Sequence, residues 1–264
     1  MKRLLGLLLG STLLLGGCGA GGGSDLATVA GSIRELEQRG AAFTYTDTLL
    51  DSGGSVPKGT VNRIRLAAVG RERDDNVALV LSQLDNAGRP VGGYDMVIND
   101  VYLFVRPHGS TRDWFLGSAA YFNQFYPGVR LNLLQETVLL AKGVGKSTSY
   151  TNGAFYSQYT ITPASDQLEQ LMSMVLAPDK EGKFLKSASA TITAYLSTTG
   201  NHLHRIDFHV TGTDPDTGLK RVFDSSLSFS RVGQAAAPAI PATAVPVQPT
   251  DMFSTGAAPS VPTP

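Results

Sequence analysis

Three short stretches carry residues that could do chemistry. Gly143-Val144-Gly145-Lys146-Ser147-Thr148 ends like a P-loop, whose glycine-rich backbone cradles phosphates and whose lysine reaches them. That pattern needs a glycine five positions before Gly145, and position 140 is Leu. A P-loop also follows a strand, whereas this stretch is expected to follow a helix. His202 and His204 could offer two imidazoles, but a zinc site needs three or four ligands. His209 has the opposite parity on the same strand and points the other way. His204 is instead expected to share an apolar face with Ile206 and Phe208, as a core or cavity-edge histidine. Asp214-Pro215-Asp216-Thr217-Gly218 lacks the further ligands and closing Glu of a calcium loop, and reads as a hairpin turn. No Gly-x-Ser-x-Gly elbow is present, and the carboxylates show no distinctive pairing. No catalytic residue, metal site or cofactor is expected, and the chain reads as a non-enzyme.

The chain's one cysteine, Cys18, has a different chemistry open to it. Met1-Lys2-Arg3 is a basic start, Leu4 to Leu15 is mostly apolar, and Leu15-Gly16-Gly17 brings small residues before Cys18. This order describes an export signal spanning residues 1–17. The apolar run is too short for a membrane span, which needs about 20 residues. Leu15-Gly16-Gly17-Cys18 looks like a bacterial lipobox, which implies acylation of Cys18 and attachment to a membrane through that residue. Several buried acyl chains anchor a protein stably where one does not. Lys+Arg and Asp+Glu both number 22 in 264 residues. Cleavage before Cys18 removes Lys2 and Arg3, which leaves 20 basic against 22 acidic residues. Without a basic excess, nucleic acid is not an expected partner.

The elements that would position any site follow from periodicity. Residues 18–23 read as a lipidated, glycine-rich flexible tether, and 234–264 as a disordered Ala/Pro-rich tail with a single charge, Asp251. The folded domain is expected over 24–233. Ser24-Asp25 can cap a helix bearing Leu26, Val29, Ile33 and Leu36, closed by Gly40. Alternating segments follow at 42–50, 61–68, 77–84, 94–98, 101–106, 155–161, 188–196, 202–211 and 219–231. A two-residue turn at Asn99-Asp100 would set Ile98 opposite Val101 and Met96 opposite Leu103. Helical stretches are expected at 119–126, 131–142 and about 165–176. Trp114, Phe115, Tyr121, Phe122, Phe125 and Tyr126 form an aromatic cluster that seals one end of the core or gates a cavity mouth. The fold class is α+β, with an antiparallel sheet and few helices. The inward positions are Phe43, Tyr45, Ile64, Leu66, Leu79, Leu81, Met96, Ile98, Leu103, Val105, Ile206 and Phe208.

The lipobox, the stretch Ile98-Asn99-Asp100-Val101-Tyr102-Leu103-Phe104-Val105, and Trp114 carry a resemblance. So do Leu133-Leu134, Val138-Leu139-Leu140 and Gly153-Ala154-Phe155-Tyr156-Ser157-Gln158-Tyr159. Their order resembles the LppX/LprG family of envelope lipoproteins, similar in fold to the lipoprotein carrier LolA. The resemblance implies a strongly curved antiparallel half-barrel with helices on its concave face and acyl chains in between. It implies no catalytic residues. The expected function is therefore a lipid-anchored envelope lipoprotein, on the extracytoplasmic side of a membrane, that binds or shuttles acylated lipids. A palmitate-length chain contributes about 0.8 kcal/mol per buried CH₂ before binding costs. The expected ligand-cavity residues are Phe43, Ile64, Leu66, Leu79, Leu81, Met96, Ile98, Leu103, Ile206 and Phe208. A sensor or assembly lipoprotein that recognises a partner protein with the same fold is the alternative, and a transport partner in the envelope is left open.

Overall fold

The structure is a computed structural model, and it describes residues 22–60, 62–73, 76–99, 101–111, 113–118, 131–172, 184 and 187–246. The chain begins with helix α1 (Gly22–Arg39). Six strands follow: β1 (Ala41–Gly53), β2 (Asn62–Arg73), β3 (Asn76–Leu84), β4 (Pro90–Ile98), β5 (Tyr102–Pro107) and β6 (Trp114–Ser118). Helix α2 (Leu131–Leu139), β7 (Gly143–Thr151), β8 (Ala154–Thr162) and helix α3 (Ser165–Met172) come next. The chain continues through β9 (Ser189–Ser197), β10 (Leu203–Thr213), β11 (Leu219–Ser230) and β12 (Ala244–Pro246).

All twelve strands join one curved, unclosed sheet, in the order β12-β6-β5-β4-β3-β2-β1-β11-β10-β9-β8-β7. Two meanders, β1–β6 and β7–β11, meet where β1 pairs with β11 over the full length from Ala42↔Ser230 to Gly53↔Leu219. Every pairing is antiparallel except β12 with β6. Short turns make this possible. Gly88, Gly153, Gly200 and Gly218 all have positive φ, a conformation that glycine reaches without steric cost.

α1 ends where Gly40, at φ 71°, donates its N–H to Leu36 O at 2.8 Å. The spacing of Val29, Ile33 and Leu36 gives one apolar stripe, and all three are buried. They pack in one cluster with residues that alternate along the strands, such as Phe43 and Tyr45 of β1 and Leu79 and Leu81 of β3. We call this the inner face. Gly70 of β2 lies within it. A Cβ there would sit 2.6 Å from Phe43 Cζ, 2.6 Å from Ala78 O and 2.8 Å from Leu79 Cβ. The Ala78 carbonyl is backbone and cannot swing aside. Gly70→Ala is therefore expected to lower stability by about 1–3 kcal/mol, measured by denaturant unfolding. Unchanged stability would mean that β2 and β3 are not this close.

Four expectations need correction. The 98–101 hairpin has a longer turn: Ile98 pairs with Leu103 and Met96 with Val105. Asn99 holds this turn, accepting from Val101 N at 3.0 Å and Tyr102 N at 2.7 Å. The register moves by two residues, so every side chain keeps its face. The stretch 143–151, which lacks an apolar alternation, is strand β7, and Trp114-Phe115 begin strand β6. Tether residues Gly22 and Gly23 belong to α1. The tail is also partly ordered. Ala235 is buried and its carbonyl accepts from Arg73 Nη1 at 3.3 Å, while Ala244–Pro246 pair along β6. Proline tolerates an edge position, where its missing N–H breaks no ladder. The expected signal, Cys18, helix 119–126 and residues 247–264 lie outside the described residues.

Candidate functional site

The inner face draws buried or partly buried apolar side chains from every strand except β12. Phe43, Leu79, Leu81, Met96, Ile98, Leu103 and Ile206 are buried in a single cluster with α1. Tyr45 and Val105 belong to it as well, and Leu66 and Phe208 pack against it partly buried. Ten expected positions of the cavity thus reduce to nine on one continuous face. The tenth, Ile64, has the parity of Leu66 and Ala68 but is 52% exposed. It lies near the start of β2, opposite Leu49, beyond the apolar stripe of α1. Parity predicts which face a residue takes, not how far along the strand the cover extends.

His204 also departs from its expected place on the apolar face. It is exposed, and its ring stacks on Tyr156 at 4.8 Å. An irregularity in β10 between Leu203 and Arg205 inserts a residue, so Leu203 and Ile206 both point inward. His202 is bonded to Glu35, with Nδ1 2.9 Å from Oε2. Among the described residues no group of three metal-ligating side chains comes together. The stretch containing Lys146 is a strand, and that lysine lies 3.7 Å from Asp25 Oδ1 and 5.2 Å over the Tyr159 ring.

A second, smaller apolar cluster sits on the same face, where Leu168 and Phe184 pack on Val210 and Phe223. Phe208 touches both clusters. At the far end, Arg221 grips Asp51 through two bonds of 2.7 Å, and its guanidinium lies over Phe184 at 5.9 Å. This bidentate pair gives the apolar face a charged margin.

Between the clusters stands Asp47. It shares parity with Phe43 and Tyr45, so it faces inward from the centre of the sheet, and it is 7% exposed. Burial pushes its carboxyl up to about 6, against the hydrogen bonds donated by Tyr45 OH at 3.0 Å and by Leu66 N–H at 3.0 Å. Asp47 was not among the expected site residues. Its signal was nonetheless present: a lone carboxylate at the inward parity of an aromatic strand.

No family model and no curated protein matches the chain. Solved structures do. LprF from Mycobacterium bovis aligns over 83% of this chain and 98% of its own, at 11% identity and a TM-score of 0.46. The lipoprotein LppX of Mycobacterium tuberculosis aligns over 80% and 97%, at 12% identity and 0.39. A LolA-superfamily protein from Nitrosomonas europaea aligns over 78% and 94%, at 8% identity and 0.29. In fold, the chain resembles these proteins.

Proposed function

We propose that the inner face is a binding surface for acyl chains and that the protein is a lipid-anchored envelope lipoprotein which binds or carries acylated lipids. In this reading the curved sheet is a half-barrel, and α1 with the other helices covers its concave side. The expected domain, 24–233, extends to about residue 246, and Cys18 is the acyl anchor that keeps it at a membrane.

One observation carries the reading: the inner face is apolar across β1–β11, far wider than one helix can cover. Eleven strands at about 4.8 Å spacing span roughly 48 Å when flattened. An 18-residue helix is about 27 Å long and about 10 Å across. α1 supplies one stripe of buried residues, and partly buried Leu66, Val77, Tyr94, Phe115 and Phe208 border it. Curvature and the other helices reduce the excess, and acyl chains of a guest are suited to fill the rest. The Arg221–Asp51 pair at the margin can orient a headgroup while the apolar wall stays unspecific. Among the described residues no helix is long and apolar enough to cross a membrane.

Cys18→Ser protein, made without its anchor, is expected to carry or take up one or two acyl lipids. Native mass spectrometry under gentle activation reads this as discrete mass increments. A single unliganded species, before and after incubation with phospholipid vesicles, would remove the proposal.

A further inference from the structure

The outer face carries a second concave feature, lined mostly by polar residues. A groove of about 420 Å³ runs across β1, β11, β10 and β9, within the usual range of small-molecule sites. Strand register builds its floor. Thr46 pairs with Ser226, Ser226 with Asp207 and Asp207 with Thr193, so four polar side chains lie on one rung. Thr48, Asp224, His209 and Thr191 make the next rung in the same way. Hydroxyl-bearing residues occupy the outer two strands of the groove, and the longer charged side chains rise between them.

Those charged groups are fixed by protein partners. Asp207 accepts from Ser226 Oγ at 2.7 Å and pairs with Arg205 Nη2 at 3.1 Å. The Arg205 guanidinium lies 4.0 Å over the Tyr195 ring. Its Nε is buried with no hydrogen-bond partner among the described residues. His209 Nδ1 is 2.6 Å from Asp224 Oδ1. This set of carboxylates, a guanidinium, an imidazole and hydroxyls offers donors and acceptors side by side. Three aspartates line the groove, Asp47, Asp207 and Asp224, against one guanidinium, which disfavours a phosphate or another anion, and the polar side chains that stand beside Phe208 disfavour an acyl chain. A neutral ligand rich in hydroxyls satisfies both conditions.

We propose that this outer groove of β1, β11, β10 and β9 binds a neutral saccharide, independently of the apolar inner face. The test screens the full chain on an array of neutral hexose and N-acetylhexosamine oligomers, then measures the strongest hit by calorimetry. Saturable binding is expected. Asp207→Asn should weaken it about tenfold or more, since bonds to charged groups are the strong ones. Thr46→Val with Thr193→Val keeps shape and strand preference, removes two hydroxyls, and should weaken it at least about fivefold. Should Asp207→Asn impair folding, the valine pair decides. Lipid increments in native mass spectra should stay unchanged in both variants, which separates this site from the lipid reading. No saturable hit on the array, or a hit that folded variants bind as tightly as the parent, would overturn the proposal.

Discussion

Ile33→Asp is expected to abolish cooperative folding. Ile33 is fully buried on the stripe of α1 that meets the inner face, together with Val29 and Leu36. Its neighbours in that cluster are apolar side chains, which offer a carboxylate no partner. An unpaired buried charge costs several kcal/mol, and the lost apolar contact adds about 2–4 kcal/mol. Domain stability is about 5–15 kcal/mol, so the two losses together consume most of it. Near-ultraviolet circular dichroism and thermal unfolding read the outcome. The variant should lack a sharp transition, while Ile33→Val should lose only about 1 kcal/mol. A cooperative transition near the parent's temperature in Ile33→Asp would show that α1 does not pack on the sheet as described.

Asp47→Asn is expected to change sign with pH. Burial pushes the folded carboxyl up to about 6, from an ordinary value of 3.8. Between those values the folded state holds the proton more tightly than the unfolded chain does. Stability is therefore fully present below about pH 4 and falls as pH rises through 6. The difference amounts to about 3 kcal/mol lost by pH 8. Asn does not titrate, so it avoids this loss. Its carbonyl can still accept from Tyr45 OH, but its amide group cannot also accept from Leu66 N–H, which costs about 1 kcal/mol. The variant should be less stable than the parent by about 1 kcal/mol at pH 4 and more stable by about 2 kcal/mol at pH 8. Urea midpoints across that range measure the crossing. Parallel curves would mean that Asp47 is ionised in the folded protein throughout.

The pattern of the chain exposes most of this architecture because the buried face obeys a period of two. Phe43, Leu79, Met96, Leu103 and Ile206 declare themselves by alternation alone. Even the hairpin at Asn99, read two residues too short, kept its faces because the slip was even. What stayed hidden has specific causes. β7 offers glycines, hydroxyls and a lysine where an edge strand needs no apolar alternation. β12 is three residues of a proline-rich tail, held by pairing to β6 across more than a hundred positions. The irregularity at His204 reverses parity locally, and no residue type announces it. Ile64 has the right parity at the wrong height. The outer groove arises from register between four strands, which periodicity within each strand does not contain.

The central claim is that acyl chains lie against the inner face. Photo-crosslinking with a diazirine-bearing fatty acid, followed by peptide mapping, addresses it directly. Adducts are expected on inner-facing residues, above all Leu66, Tyr94 and Phe208 at the border of the packed cluster. Adducts confined to outer-facing positions such as Thr46, Thr193 and Ser226, or none above the level seen with heat-denatured protein, would contradict it.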